Sequence, residues 1–408
     1  MAGPSQSSLQ NWLIVAFGFT ALALAFSTRA ALGLIMPVWQ SELGWSSSFI
    51  SSAGAAALIV MAIVAPFAGR LVDRKTPQFV MSLGLVCIGI GSAIVAAASN
   101  KIVFIIGYSG FCAVGFGIIA THVVSTAVVR VFDKNQGLAT GIATSGATGG
   151  QFLVVPLIAV LLVYGSWRWS FAVLSVSALL MVPLILWFMG RANTKDNVTD
   201  STIPDRSSIT EDLEFVLSKP TFHILFWSYL ICGFTTTGVI ETHFLPFTSH
   251  HGFPPISSAA AYGVLSAVNL FGMILAGWLS DRVNRQNLLA SIYLLRALTF
   301  ILLTNVPAAG LESLFLFSVL FGVVDYSTIP VTVSLVASHV GRRVMGLAMG
   351  LIAAGHAVGG ALGSFLGGYL FDAIGNYEML WTASLWLAVG AGAMVLLIPV
   401  NAPDPEPA

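Results

Sequence analysis

Charge is what this sequence has least of. Only 8% of its 408 residues are Asp, Glu, Lys or Arg, against roughly 25% in an ordinary soluble domain, too few to coat a water-soluble globule. The seventeen basic residues are matched by seventeen acidic ones, so no basic excess exists to neutralise a nucleic-acid backbone, and nucleic acid is not expected as a partner. Cysteine is equally sparse. Cys87, Cys112 and Cys232 sit inside apolar runs at unrelated spacings, the pattern of reduced, packed thiols rather than of disulfides or a metal site. Enzyme signatures are missing too: there is no metal-spaced His/Cys/Asp/Glu cluster, no phosphate-cradling glycine loop and no nucleophile motif. Neither enzymatic activity nor a cofactor or metal is expected.

Apolar runs fill the space that charge leaves. They recur along the whole chain and give a mean hydropathy of +0.90; a run of about 20 residues at 1.5 Å per residue crosses a ~30 Å hydrocarbon layer. Read between charged or turn-rich punctuation, they predict an all-α membrane protein with twelve transmembrane helices, at 12–37, 46–70, 77–99, 103–130, 137–163, 169–190, 222–247, 257–280, 287–306, 312–338, 345–371 and 379–400. The first run, from Trp12, is too long for a secretory h-region and lacks a small-residue cleavage site, so it is read as the first span. The one long polar stretch, 191–220, carries four basic and six acidic residues and divides the chain into halves at 1–190 and 221–408.

The basic residues orient the spans. Thirteen of them, among them Arg70, Arg74, Lys75, Arg130, Lys134, Arg282, Arg285, Arg342 and Arg343, fall in loops on the side of the linker, while only Lys101 and Arg168 fall opposite. That asymmetry places the linker and both termini in the cytoplasm of a multi-pass cell-membrane protein. Trp167 and Trp169 beside Arg168 read as anchors at the outer interface.

Two motifs repeat at nearly one offset. Residues 69–74, GRLVDR, recur as GWLSDR at 277–282, 208 positions on; Gly137, Gly141, Gly146 and Gly150 recur as Gly346, Gly350, Gly355 and Gly359, 209 positions on. Such agreement marks the two six-helix halves as parallel copies. The glycines, four or five apart, allow close helix approach where lipid gives no hydrophobic drive between helices. Asp73, Arg74, Asp281 and Arg282 can cap a neighbouring helix end or pair across a gap, latching one face shut; helix packing and loop charge are the plainer reading, and the two are compatible.

In these motifs, the even span count and the central linker, the chain resembles the major facilitator superfamily over essentially its full length. It departs at Lys75-Thr76-Pro77 and at Asn284, where the family's loop signature usually has glycine. The resemblance implies alternating access, the halves rocking about a site near mid-membrane lined by the first, fourth, seventh and tenth helices. Within the superfamily, SELGWS at 41–46 and the glycine-rich fifth and eleventh helices are similar to the monocarboxylate and oxalate/formate carriers. Those carriers place a substrate-binding arginine in the eighth helix, at a position that aligns with Met273 here.

A charge at the bilayer centre costs at least ~2.5 kcal/mol, so each intramembrane ionisable group calls for a partner, a wet cavity or a function. Arg29, roughly 7 Å outside the midplane by helix rise, can hold a carboxylate bidentately; snorkelling or a structural ion pair is the alternative. Thr28 and Ser27 beside it offer hydroxyls, unless these bond their own backbone. Asp325 falls at the midplane, followed by Tyr326, and is read either as a proton carrier or as half of a buried pair with Arg296. His356 has Ala147 as its repeat counterpart, so packing does not demand it; it is read as binding substrate or proton, or as a satisfied neutral ring. Glu241 and His243, about 10 Å toward the outside, can form a proton entry. Thr121, His122 and Asn269 complete the candidate lining, with helix-to-helix bonding the competing role for Asn269. The expected activity is secondary transport of a small organic anion, a monocarboxylate, by a monomer with a proton as coupling ion. Proton-driven efflux of amphipathic drugs and a non-transporting solute receptor are the alternatives.

Overall fold

The computed structural model describes residues 6–190 and 208–400. Most of the linker, 191–207, lies outside them, as do the first five and last eight residues. No strand occurs among the described residues; the chain is a run of membrane-length helices. We label these α1 (Gln6–Leu43), α2 (Ser47–Arg74), α3 (Pro77–Ala97), α4 (Lys101–Val129), α5 (136–164), α6 (Trp167–Gly190), α7 (Pro220–His250), α8 (Pro255–Ser280), α9 (Arg285–Ala309), α10 (Leu311–His339), α11 (Met345–Ile374) and α12 (Glu378–Val395). Eleven stretches among the described residues are long and apolar enough to span a bilayer; the twelfth, α5, is divided at Ser145 into Gln136–Thr144 and Gly146–Tyr164. The twelve expected spans are thus all helical, with ends shifted by a few residues.

Local chemistry explains where helices start and stop. Ser46, Thr76, Asn100 and Asn284 accept from the backbone N–H three residues on, at α2, α3, α4 and α9 respectively. Gly375, at φ +81°, closes α11 in the left-handed conformation. Arg168 Nη1 donates to Ala96 O and Ala98 O at 2.8 and 2.9 Å, a cation on the carbonyl end of α3. One helix had no signal strong enough to be read beforehand: Ile209–Ser218, inside the polar linker, begins with a reciprocal cap between Ser208 and Glu211.

The described residues form two compact units, one from 6–133, 142–190 and 208–212, the other from 134–141 and 213–400. In the first, α5 lies directly on α1: a Cβ at Gly146 or Gly150 would collide with the backbone of Phe19 or Ala23. In the second, α11 meets α7 in the same manner, Gly359 against Leu230 and Gly355 against the Phe226 ring. Gly146, Gly150, Gly355 and Gly359 therefore do the close packing expected of the repeat. Phe244, Phe300, Phe317, Phe321 and Trp381 fill the core of the second unit. Large apolar side chains such as Ile63, Phe67, Phe271 and Phe365 are 60% exposed or more, as a surface bathed in hydrocarbon requires.

Besides α5, three helices depart from α geometry among the described residues. α4 contains a π-helical stretch, Ile106–Cys112, and breaks again at Ile119–Ala120; α7 contains another, Phe234–Ile240; α10 is interrupted at Asp325–Ser327 between Leu311–Val324 and Thr328–His339. Such interruptions free backbone groups inside the membrane, where each must find a partner, and they concentrate at functional sites.

Candidate functional site

The break in α10 assembles a polar cluster wholly inside the second unit. Asn269 of α8 serves both sides of the turn. Its Nδ2 donates to Asp325 Oδ2 at 3.1 Å, and its Oδ1 accepts from the backbone N of Tyr326 at 3.1 Å. Asp325 is 3% exposed, with Thr236 of α7 beside its carboxyl group. Tyr326, half-buried, points its hydroxyl across to α7 and donates to Glu241 Oε1. Glu241 stands immediately after the π-helical stretch of α7, near the Asp325 carboxylate.

Arg296 of α9 lies at the same break. It is fully buried, but its guanidinium is not paired with the Asp325 carboxylate. Nη2 donates to Val324 O at 2.8 Å and to Asp325 O, the carbonyls freed at the end of the first segment of α10. Nη1 donates to Cys232 Sγ at 3.0 Å and Thr235 Oγ1 at 3.2 Å, at the start of the irregular stretch of α7. The cation thus sits where a helix dipole is negative, pinning two broken helices to each other. No Arg–carboxylate contact within 4.0 Å involves Arg296 among the described residues. His356 of α11, half-buried, lies 5.0 Å from the Tyr229 ring and beside Cys232, at the edge of this cluster. His243 does not join it: its Nε2 meets Ser364 O at 3.1 Å and its ring packs 5.5 Å from Tyr377.

In the first unit, Arg29 is half-buried with its guanidinium 4.6 Å from the Phe26 ring. Its carbonyl accepts from Tyr108 at 3.1 Å, and among the described residues no acid pairs with its side chain. Thr28 is buried and returns its hydroxyl to Leu24 O at 2.7 Å, whereas Ser27 Oγ is buried with no partner. Thr121 is half-buried just after the break in α4. His122 beside it is 3% exposed, with Nε2 3.2 Å from Ala65 O, so its ring ties α4 to α2.

The two copies of the loop signature are used differently. Asp281 accepts from the backbone N of Gly137 at 2.7 Å and of Leu138 at 2.9 Å, capping the first segment of α5. Arg282 folds back on Trp278, donating to its carbonyl at 3.0 Å. In the first copy, Arg74 and Arg70 both reach Asp212 of the linker helix, at 3.5 and 3.4 Å; Asp73 is half-buried. Asp212 lies in a polar stretch rich in acids, where its spacing alone does not single it out.

Residues 18–310 match the sequence profile of the Major Facilitator Superfamily. The chain belongs to that superfamily. Among curated relatives of this superfamily member, the MFS-type transporter YcxA of Bacillus subtilis (strain 168) is 26% identical over 338 residues, 81% of either chain. Monocarboxylate transporter 11 of Homo sapiens is 24% identical over 76% of this chain and 65% of its own length. Of solved structures, the human organic anion transporter MFSD10 superposes with a TM-score of 0.74 at 15% identity, covering 96% of this chain and 100% of that one. The superfamily member is accordingly a multi-pass transporter with the twelve-helix fold.

Proposed function

We propose that the protein moves a small organic anion, a monocarboxylate, across the cell membrane with a proton as the coupling ion. The observation that carries the substrate class is Arg29: a half-buried guanidinium, packed on an aromatic face, with no acid beside it among the described residues. A planar fork of donors held over a ring suits a carboxylate more than a neutral solute. The likeness to a monocarboxylate transporter supports the same class.

Coupling rests on the second unit. Asp325 and Glu241 are two acids at a helix break, linked through Tyr326 and Asn269. Arg296 is committed to backbone carbonyls and makes no direct pair with the Asp325 carboxylate, and an acid placed this way at a helix break is suited to carrying a proton. His356 and Thr121 border the substrate path in this reading, while His122, Thr28 and His243 support helix packing. The halves 1–190 and 221–408 move about the linker 191–220, both termini lie in the cytoplasm, and the working unit is a monomer. Asp281 caps α5 in one state and releases it in the other, with Asp73, Arg74 and Arg282 tuning that latch.

The test is uptake of labelled small carboxylates into proteoliposomes with an imposed pH gradient, for wild type, Arg29→Ala and Arg29→Lys. Gradient-driven uptake lost in the alanine variant and partly kept by lysine is expected. Folded wild-type protein that takes up no carboxylate, yet extrudes amphipathic dyes, overturns the reading.

A further inference from the structure

The π-helical stretch of α4, Ile106–Cys112, reaches three neighbouring helices of the first unit. Tyr108 donates to Arg29 O of α1 at 3.1 Å, Ser109 donates to Ala53 O of α2 at 2.8 Å, and Cys112 Sγ lies 3.7 Å from both Ser92 Oγ and Ile88 O of α3. A widened turn of this kind is rare and is found where it serves a function. On the α3 side its backbone is fixed by contact: a Cβ at Gly91 would stand 2.6 Å from Cys112 N and 2.7 Å from Gly107 O.

The ring of Tyr108 is held as firmly as the backbone that carries it. It is buried, stacks on Phe104 at 5.7 Å with the planes 3° apart, and meets Phe116 edge-on at 6.0 Å. Its hydroxyl therefore has a fixed place, on the Arg29 carbonyl and near the Arg29 guanidinium. In a regular α-helix that carbonyl accepts from the N–H four residues on, that of Gly33, so the tyrosine takes a second lone pair. The bond is not needed to satisfy α1; it fixes one turn of a 38-residue helix. That turn has little else to hold it: a Cβ at Gly33 would meet nothing within 4 Å, and Thr28 returns its hydroxyl to Leu24 O of its own helix. A buried tyrosine needs some acceptor, and the repeat shows why this one matters. Tyr108 falls on Leu316 or Phe317 at offsets of 208 and 209, and Arg29 falls on Thr237 or Gly238. The hydroxyl is present in the half that has the arginine and absent from the half that lacks it.

Building on the reading of Arg29 as the anion-binding group, we propose that Tyr108 is a positioning residue for the substrate. Buried itself, it does not touch the anion; it holds the turn of α1 from which the guanidinium, 4.6 Å from the Phe26 ring, presents its donors. A bidentate contact with a carboxylate needs two N–H groups in line at once, which makes it sensitive to a small shift of the backbone that carries them. The π-helical stretch is the means of delivery, since it carries the tyrosine on a backbone locked against α3.

Uptake kinetics of a labelled small carboxylate into proteoliposomes under a pH gradient test this, with thermal unfolding of each protein alongside. Tyr108→Phe keeps the ring and removes the hydroxyl; KM should rise about three-fold, the worth of one intramembrane hydrogen bond, at an unchanged maximal rate. Ser109→Ala breaks a bond of the same kind from the same stretch and should leave KM unchanged. On an Arg29→Lys background, where a flexible ammonium depends less on alignment, Tyr108→Phe should no longer raise KM. An unchanged KM in folded Tyr108→Phe, an equal rise in Ser109→Ala, or the same rise on the lysine background each overturns the proposal and leaves the anion reading of Arg29 standing. A Tyr108→Phe protein that loses melting temperature and maximal rate together also overturns it, by reducing the bond to a fold contact. Full carboxylate uptake by Arg29→Ala, or none by folded wild type, defeats the anion reading and this proposal with it.

Discussion

Arg296 offers the sharpest test of how the broken helices are held. If the guanidinium serves the carbonyls of Val324 and Asp325, Arg296→Met orphans two buried acceptors, at about 1–3 kcal/mol each, a loss of some ~2–6 kcal/mol. Membrane hydrogen bonds average nearer ~0.6 kcal/mol, and removing a buried charge returns part of its desolvation cost. The net expectation is a loss of about 2 kcal/mol, within the range those terms set. If Arg296 instead neutralised the Asp325 carboxylate, removing it would cost ~3–5 kcal/mol by leaving that carboxylate unpaired, and Asp325→Asn would largely repair the damage. The two accounts part in the double variant. We expect Arg296→Met/Asp325→Asn to unfold no later than Arg296→Met alone, because neutralising the side chain does nothing for the carbonyls. Thermal unfolding of the four proteins in one detergent, followed by tryptophan fluorescence, closes the cycle. A double variant as stable as Asp325→Asn alone would refute the carbonyl role.

Asn269→Leu removes both bonds across the α10 turn; uptake driven by a pH gradient should fall about tenfold, the effect of roughly 1.4 kcal/mol, and counterflow exchange should suffer less. Asp281→Ala uncaps Gly137 and Leu138, a change of about 0.5–2 kcal/mol, so amide exchange of residues 137–141 should accelerate, with Asp281→Asn showing less of it. Gly359→Ala drives a Cβ into the Leu230 carbonyl and should lower stability by ~1–3 kcal/mol, whereas Gly368→Ala, with nothing within 4 Å, should leave the melting temperature unchanged. Asp212→Ala removes the shared partner of Arg70 and Arg74; as a partly exposed contact it should cost under about 1 kcal/mol, read from the same melts.

Much of the fold was legible because lipid imposes a simple rule: every backbone group must be satisfied within the span, so length and hydropathy locate helices directly. The glycine repeat was legible for the same reason, since close approach of helices leaves a small-residue imprint. What hydropathy cannot convey is a helix that stops being α in mid-membrane. The π-helical run Phe234–Ile240 consists of ordinary apolar and hydroxyl residues, the acid at the turn Asp325–Ser327 does not by itself mark a break, and only contacts from α8 and α9 reveal why both are tolerated. The pairing of Arg296 was illegible on similar grounds: a sequence shows side-chain charges, but not carbonyls freed by a break.

The repeat also shows where the halves have parted. Shifting by 208 positions, Asp325 falls on Gly117, Arg296 on Ile88 and Asn269 on Met61, while Arg29 falls on Thr237. Helix four nevertheless breaks at Ile119–Ala120, close to the place where helix ten breaks at Asp325–Ser327. The interruption is therefore older, or more general, than the chemistry it carries. In the first half it is met without a charged side chain, by Gly117 packed against Val64 and by a histidine on the Ala65 carbonyl. In the second it has acquired an acid, an amide and an arginine. A break needs only partners for its freed carbonyls, which a neutral ring or water can supply. A buried carboxyl is not required for that and carries its own insertion cost, so its presence in one copy alone argues for a task the other copy does not share. Arg29, equally unmatched at Thr237, argues the same for the first half, which is the asymmetry that the proposed function calls for.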